Sequence, residues 1–359
     1  MKAAVCTAFG QPLVIEEVEI DPPQKGEVKV KVAACAICHS DILYMDGGWG
    51  GELPAVYGHE AAGVVEEVGP SVKDVAAGDH VIVSLLRNCG ACYFCARGES
   101  HVCESEFPMD QPGRLHRPNG EPLKQGLRTG AFAEYVVVDQ SQVVAVPKTL
   151  PLDSASLLAC GVITGLGAVV NTAKISAGDS AVVIGAGGVG LNAVQGAALS
   201  GAQPIIAMDI AEEKLKAAKD FGATHGINAR DKDAREQVRA LTGGRGADYV
   251  FVTVGVPAAM EQGMTLIRTA GTLVAVGIPA EGATMAVNAV DIGDLSQRIV
   301  GSKMGSTRLQ VDIPKLVALY EQNRLKLDEL ISGRYPLRQI NDAIDSVRRA
   351  EALRNVIVF

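Results

Sequence analysis

Four cysteines fall within fifteen residues as Cys89-x2-Cys92-x2-Cys95-x7-Cys103, in a glycine-rich, polar loop after the apolar run Val81 to Leu86. Four thiolates close a tetrahedral shell around Zn2+ and leave no position for a substrate, so such a site is structural rather than catalytic. An iron–sulfur cluster is the alternative, but its usual spacing places the fourth cysteine differently. The remaining cysteines, Cys6, Cys35, Cys38 and Cys160, are scattered. Cys38 in Cys38-His39-Ser40-Asp41, His59 in Gly58-His59-Glu60 and Cys160 in Ala159-Cys160-Gly161 are of metal-ligating types. Taken singly, each reads equally well as a small buried hydrophobe or a core histidine, and spacing alone does not join them.

A second chemical signal is Ala181-Val-Val-Ile-Gly-Ala-Gly-Gly-Val-Gly190, which sets Gly185, Gly187 and Gly190 in a G-x-G-x-x-G pattern between an apolar β run and a helical run. The pattern suits a dinucleotide: a tight turn, a backbone that approaches a pyrophosphate closely, and N–H groups at a helix start, here from Gly187 and Gly188 to Gly190. Asp209 follows 24 residues after Gly185 at the end of the next β run. An acid there accepts from the adenosine ribose hydroxyls and repels a 2′-phosphate, which favours NAD over NADP. The competing reading has Asp209 capping the helix from Ala211 and the glycines serving packing. Lys214 reaches toward the same ribose or is a solvated helix residue.

The elements that must position these groups fall into two textures. Up to about Leu150, short β runs such as Val28 to Val32, Gly63 to Val68 and Tyr135 to Val138 alternate with turn clusters, which reads as a β-rich, partly open barrel. From about Gly161, strands (Ala181 to Ile184, Pro204 to Met208, Tyr249 to Val254, Thr272 to Val276, and one near Arg298 to Lys303) alternate with helices, the pattern of a parallel sheet wrapped by helices. Glu212 to Phe221 is one such helix, with Leu215, Ala218 and Phe221 on one face and Gly222 as its stop. Helical patterns at Ile313 to Asn323 and Ile340 to Arg349 and a strand at Asn355 to Phe359 end the chain.

Composition agrees with two domains of about 150 residues each. The 359 residues are 48% hydrophobic and 21% charged, enough to bury a core and to exclude disorder. A net charge of -8 leaves no basic stripe for nucleic acid or anionic lipid. The start MKAAVCTAFG lacks an apolar signal region, so the expected location is cytoplasmic, where eight cysteines speak for metal rather than disulfides. Two uncharged stretches, Ser154 to Ala173 and Ser180 to Met208, have the length of a membrane span, but polar residues and glycines break the second, and buried elements are expected instead.

The cysteine loop, the run Gly58-His59-Glu60-Ala-Ala-Gly63, Cys160 in Cys-Gly-Val-Ile-Thr-Gly and the Gly185 fingerprint together make the whole chain resemble the zinc-containing alcohol dehydrogenases of the medium-chain dehydrogenase/reductase family. The resemblance implies an α/β chain: a GroES-like β-rich catalytic domain from residues 1–161 and 305–359, and a Rossmann doubly wound parallel-sheet domain from 162–304 that binds NAD. It implies two zinc ions per chain, a catalytic one on Cys38, His59 and Cys160 and a structural one on the four-cysteine loop. Two thiolates and a neutral imidazole would leave a fourth position open for an alcohol, whose hydroxyl the metal acidifies before hydride passes to the nicotinamide. By the same resemblance Ser40 matches a hydroxyl that takes the alcohol's proton, Asp41 a partner of the histidine ligand, and Glu60 a carboxylate beside the metal. His39 and Arg354 match residues near the cofactor pyrophosphate, Thr164 and Val189 contacts at the nicotinamide, and Trp49, Leu85 and Phe132 the lining of the substrate pocket.

The sequence departs from some relatives at Leu43, where they carry a histidine that relays the proton to solvent, so the pH profile is expected to lack a clean imidazole limb. Cys160 argues against the polyol branch, whose third ligand is typically glutamate. The expected substrate is a small primary alcohol, or its aldehyde, with an alkyl or aryl tail. A glutathione-dependent formaldehyde dehydrogenase is the alternative, with Arg114, Arg117 or Arg128 available for glutathione carboxylates. A non-catalytic NAD- or zinc-binding scaffold is the alternative of a different class. The family resemblance points to a homodimer, with a homotetramer also possible, because the segment Cys103 to Phe132 resembles the dimeric forms.

Overall fold

A computed structural model describes residues 1–111 and 114–359; Pro112 and Gly113, inside the segment Cys103 to Phe132, lie outside the described residues. The chain divides into two compact units, 1–160 with 308–359, and 161–307.

The first unit is built on the ten-residue strand Glu27–Ala36, where Val28, Val30 and Val32 alternate inward, each burial being worth roughly 1.5–3 kcal/mol. The sheet around it runs Val143–Ala145, His80–Ser84, Glu60–Val68, Glu27–Ala36, Arg354–Val358, Ile331–Pro336, and Tyr135–Asp139 also pairs with Glu27–Ala36. The chain's tail belongs here because Val356 and Ile357 pair antiparallel with Ala36 and Cys35. A second sheet of six short strands, from Lys2–Cys6 and Val14–Glu17 to Leu115–His116 and Pro122–Gln125, shares the apolar core of the first. That core takes in Val5, Val30, Phe132, Val138 and Ile357.

The second unit holds a six-stranded, all-parallel sheet in the order His225–Asn228, Ile205–Asp209, Ala181–Ile184, Ala247–Val252, Ile267–Ala275, Arg298–Gly301. The order reverses on either side of Ala181–Ile184, and such a reversal opens a ligand crevice at the carboxyl ends of the strands. Helix Glu212–Asp220 buries Leu215 and Ala218 and stops before Gly222, whose φ of +111° few side chains tolerate.

The observed division differs from the expected one by one residue at 161 and three at 305–307. Gly305 belongs to the second unit because it packs so closely on Gly167 that a Cβ on Gly305 would lie 2.8 Å from the Gly167 Cα. The Thr307 hydroxyl likewise donates to the Ile163 carbonyl at 3.3 Å. Among the described residues no single helix is long and apolar enough to cross a membrane. Ser154 to Ala173 is broken at Cys160, and Ser180 to Met208 folds as strand, helix and strand.

Candidate active site

The first centre starts from a helix cap. Cys38 has the extended backbone of an N-cap before helix His39–Met45, and its N–H donates to Asp41 Oδ2 at 3.0 Å. The other carboxylate oxygen, Oδ1, accepts from the Gly58 N–H at 3.0 Å and the His59 Nδ1 at 2.9 Å. Asp41 and His59 are both fully buried. Gly58 permits the approach: its φ is +92°, and a Cβ there would lie 2.6 Å from the Phe132 amide nitrogen. Asp41 thus caps the helix that follows Cys38 and also aims the buried imidazole of His59.

Beyond that imidazole, the sulfurs of Cys38 and Cys160, a ring nitrogen of His59 and a carboxylate oxygen of Glu60 all lie within 4.8 Å of one another. All four residues are buried. His59 Nε2 is buried with no hydrogen-bond partner, which is the atom a metal would claim once Nδ1 is committed to Asp41. Burial works against protonation of His59, yet the charge and hydrogen bond of Asp41, with Cys38 behind them, hold its proton well above the ordinary imidazole range. A bound cation would displace that proton. A hydrogen bond from Cys160 drives Cys38 well down into the thiolate range against its burial, with His59 and Arg354 adding to the effect. The same bond, together with burial, holds Cys160 up as the thiol. So much buried acidity around one imidazole fits a divalent cation.

Arg354 was expected beside a pyrophosphate. It is buried, and its Nη1 donates to Glu60 Oε1 at 2.9 Å and to the Ile37 carbonyl at 3.2 Å, while Nη2 is buried without a partner. Sequence reading missed this pairing, since the two residues stand 294 positions apart and no local signal links them. Ser40 is half-buried and His39 exposed on the first turn of the same helix.

The second cluster holds the sulfurs of Cys89, Cys92, Cys95 and Cys103 within 4.8 Å of one another. The Ser105 hydroxyl (3.0 Å) and the N–H groups of Cys92 (3.2 Å) and Ala91 (3.4 Å) donate to Cys89, pushing its thiol down to about 6. Cys92, which accepts from the Cys95 N–H, is also lowered, whereas burial pushes Cys95 up to about 12. Backbone N–H groups that donate to sulfur favour the thiolate, the form in which four cysteines would hold a cation.

In the second unit the three glycines have three different reasons to be glycine. Gly185 turns with φ +94°, and a Cβ on Gly190 would lie 1.7 Å from the Gly185 carbonyl oxygen. Gly187 is the extended N-cap of helix Gly188–Leu199, and a Cβ there would meet nothing within 4 Å. Open space above an uncapped helix start is where an anion fits. Asp209 Oδ2 accepts from the Ala186 N–H at 2.7 Å and Oδ1 from the Ala211 N–H at 3.0 Å, so it steadies the loop and the next helix at once. Each oxygen keeps a further lone pair for a ribose hydroxyl. Thr164 and Val189 are brought near each other because helix Gly161–Gly167 packs on Gly188–Leu199, where a Cβ on Gly165 would lie 2.1 Å from the Val189 carbonyl oxygen. Lys214 is half-buried on helix Glu212–Asp220.

Of the expected pocket residues, Trp49 meets Tyr44 edge-on at 5.0 Å, Leu85 is half-buried, and Phe132 is fully buried in the core. The cations proposed for glutathione are largely committed elsewhere. Arg114 is buried against Glu27 at 2.5 Å, and Arg117 grips Glu16 and Glu121, both at 2.7 Å; Arg128 is exposed.

Residues 24–148 match the family "Alcohol dehydrogenase GroES-like domain" and residues 188–322 the family "Zinc-binding dehydrogenase". The chain is 38% identical over 366 residues to the NDMA-dependent alcohol dehydrogenase of Amycolatopsis methanolica, covering 99% of this chain and 98% of the relative. Its fold superposes on an alcohol dehydrogenase zinc-binding domain protein from Burkholderia ambifaria with a TM-score of 0.95 at 37% identity, covering 100% and 98% of the two chains. The benzyl alcohol dehydrogenase of Acinetobacter calcoaceticus superposes with a TM-score of 0.93 at 33% identity, covering 100% and 99%.

Proposed function

We propose that this chain, which belongs to the zinc-dependent alcohol dehydrogenases of the medium-chain dehydrogenase/reductase family, interconverts primary alcohols and aldehydes with NAD and holds two zinc ions. The observation that carries the reading is the convergence of Cys38, His59, Glu60 and Cys160 around an unpartnered His59 Nε2. Zinc on Cys38, His59 and Cys160 would supply a Lewis acid that acidifies an alcohol or polarises a carbonyl, and NAD would supply the hydride acceptor.

The protein's own groups do the rest. Asp41 keeps the proton of His59 on Nδ1 and so leaves Nε2 as the ligand atom. Arg354 holds Glu60 by its Oε1, beside the ligand set and under restraint. Ser40, on the helix that Cys38 caps, takes the proton the alcohol gives up, and Leu43 offers no imidazole for its onward passage. Gly187 and Gly190 with Asp209 hold the dinucleotide, the acid disfavouring a 2′-phosphate. The four-cysteine cluster holds the second zinc and fixes its loop.

The apolar character of Trp49 and Leu85 and the benzyl alcohol dehydrogenase likeness support substrates with an alkyl or aryl tail. The engagement of Arg114 and Arg117 weighs against the glutathione-dependent alternative. Assembly as a homodimer is part of the proposal, and sedimentation decides it against a tetramer. The test is NADH formation over a panel of primary alcohols, with and without glutathione, beside NDMA as acceptor and a zinc count. Turnover with NAD, no need for thiol and two zincs per chain is expected. Activity only with glutathione, or only with NDMA, overturns the substrate or the acceptor. Two zincs with no turnover on any of them would mark a scaffold.

A further inference from the structure

After the last strand of the parallel sheet the backbone enters a conformation that side chains avoid. Met304 (φ 50°), Gly305 (φ 63°) and Ser306 (φ 48°) are left-handed in succession, and two of the three are not glycine. Such a backbone persists only where its surroundings hold it, and it concentrates at functional sites.

One helical stretch, 161–173, supplies several of the contacts that hold it. Asn171 Nδ2 donates to the Gly305 carbonyl at 3.2 Å, and Thr172 Oγ1 lies 2.8 Å from the hydroxyls of both Ser302 and Ser306. Gly305 packs on Gly167 without room for a Cβ. The Thr164 hydroxyl, buried, donates to the buried sulfur of Met304 at 3.6 Å. The stretch closes in the π-helix Ala168–Ala173, a form that often marks function.

The same stretch packs through Gly165 on Val189 at the start of the helix after the glycine loop. Thr164, Val189 and the arch at 304–306 therefore gather where the carboxyl ends of the parallel strands leave their ligand crevice.

We infer that Met304 is a positioning residue for the nicotinamide end of the cofactor, acting through Thr164. A helical threonine hydroxyl otherwise divides between rotamers by bonding to the carbonyl one turn back. The sulfur of Met304 selects one rotamer and so fixes which atoms of Thr164 face the ring. The left-handed backbone brings the sulfur to that place. The inference rests on the reading of Thr164 as a nicotinamide contact.

The experiment is NADH binding by fluorescence titration on Met304→Leu, Thr164→Val and the double variant, with thermal melting of each. Leucine keeps the bulk and loses the acceptor. Met304→Leu should weaken NADH roughly three- to tenfold, the range that loss of one hydrogen bond allows. The double variant should bind no worse than Thr164→Val, because both remove the same bond. Met304→Gln, with an oxygen at similar reach, should bind within about twofold of wild type. If Thr164→Val weakens NADH while Met304→Leu does not, or if the two effects multiply, the inference is overturned and the reading of Thr164 stands. If Thr164→Val leaves NADH binding unchanged, the reading of Thr164 fails and the inference with it. An equal loss in Met304→Gln and Met304→Leu makes the role one of packing and overturns it as well.

Discussion

Asp41→Asn separates the aiming of His59 from everything else in the proposed zinc centre. The carboxylate is fully buried and accepts three hydrogen bonds, one on Oδ2 from Cys38 N–H and two on Oδ1 from Gly58 N–H and His59 Nδ1. An amide has one oxygen to offer. If that oxygen faces Gly58 and His59, the Cys38 N–H is left buried against an NH2 group, at a cost of roughly 1–3 kcal/mol. If the amide turns the other way, its NH2 donates to His59 Nδ1 and drives the ring proton to Nε2, the nitrogen that must be free for metal. Either way the charge on Asp41 that sustains the imidazole's basicity is gone, and metal affinity should fall roughly 10- to 100-fold. Competition with a chromogenic chelator reads this directly, because the four-cysteine site shares none of these residues and serves as an internal reference. The variant should surrender one zinc per chain at chelator concentrations where wild type keeps both, with turnover lost in step. Retention of both zincs to within about twofold of wild-type affinity would refute the role given to Asp41.

Three further outcomes are expected. Gly190→Ala puts a methyl 1.7 Å from the Gly185 carbonyl oxygen and should cost roughly 1–3 kcal/mol of stability along with NADH binding, whereas Gly187→Ala meets nothing in the protein and should cost NADH binding alone; melting and fluorescence titration distinguish them. Cys103→Ser removes one thiolate of the closed site and should lower the zinc count by one while the Cys38 centre keeps its metal, as elemental analysis will show. The Nδ1 hydrogen bond of His116 to the Arg117 carbonyl, and then Asp21 at 3.4 Å, raise its pKa, so its contribution to stability is present below about pH 6.5 and lost as pH climbs through the folded value. Melting temperature should therefore fall between about pH 6 and about pH 8 by more in wild type than in His116→Gln.

The parts that could be read from sequence are those whose partners lie nearby along the chain. Glycines at 185, 187 and 190 sit in one strand-turn-helix, and the three distinct reasons for them, a positive φ, an open face and a close packing, are all local. The four-cysteine loop likewise brings its sulfurs together over fifteen residues. Strand limits were less legible. Glu27–Ala36 runs four residues past the expected Val32, through alanines of low β propensity, because the tail strand Arg354–Val358 pairs with its end. The adjustment of the boundary at 305–307 has the same kind of cause, a packing of Gly305 on Gly167 that no local pattern announces.

Asp41 shows where that limit falls within a single residue. Its bond to the Cys38 N–H is a helix cap three residues long, the sort of pattern that sequence displays. Its bond to His59 spans 18 residues and two elements, and only the resemblance to a family suggested it. Glu60 and Arg354 extend the same logic across 294 residues: an acid next to a metal histidine was expected at the site, but the cation that restrains it was assigned to the cofactor. The charged residues of this centre owe their states to neighbours brought in by the fold. A buried guanidinium, a thiolate and an aimed imidazole are therefore best understood as one unit, in which removing any member leaves the others with unpaired buried charge.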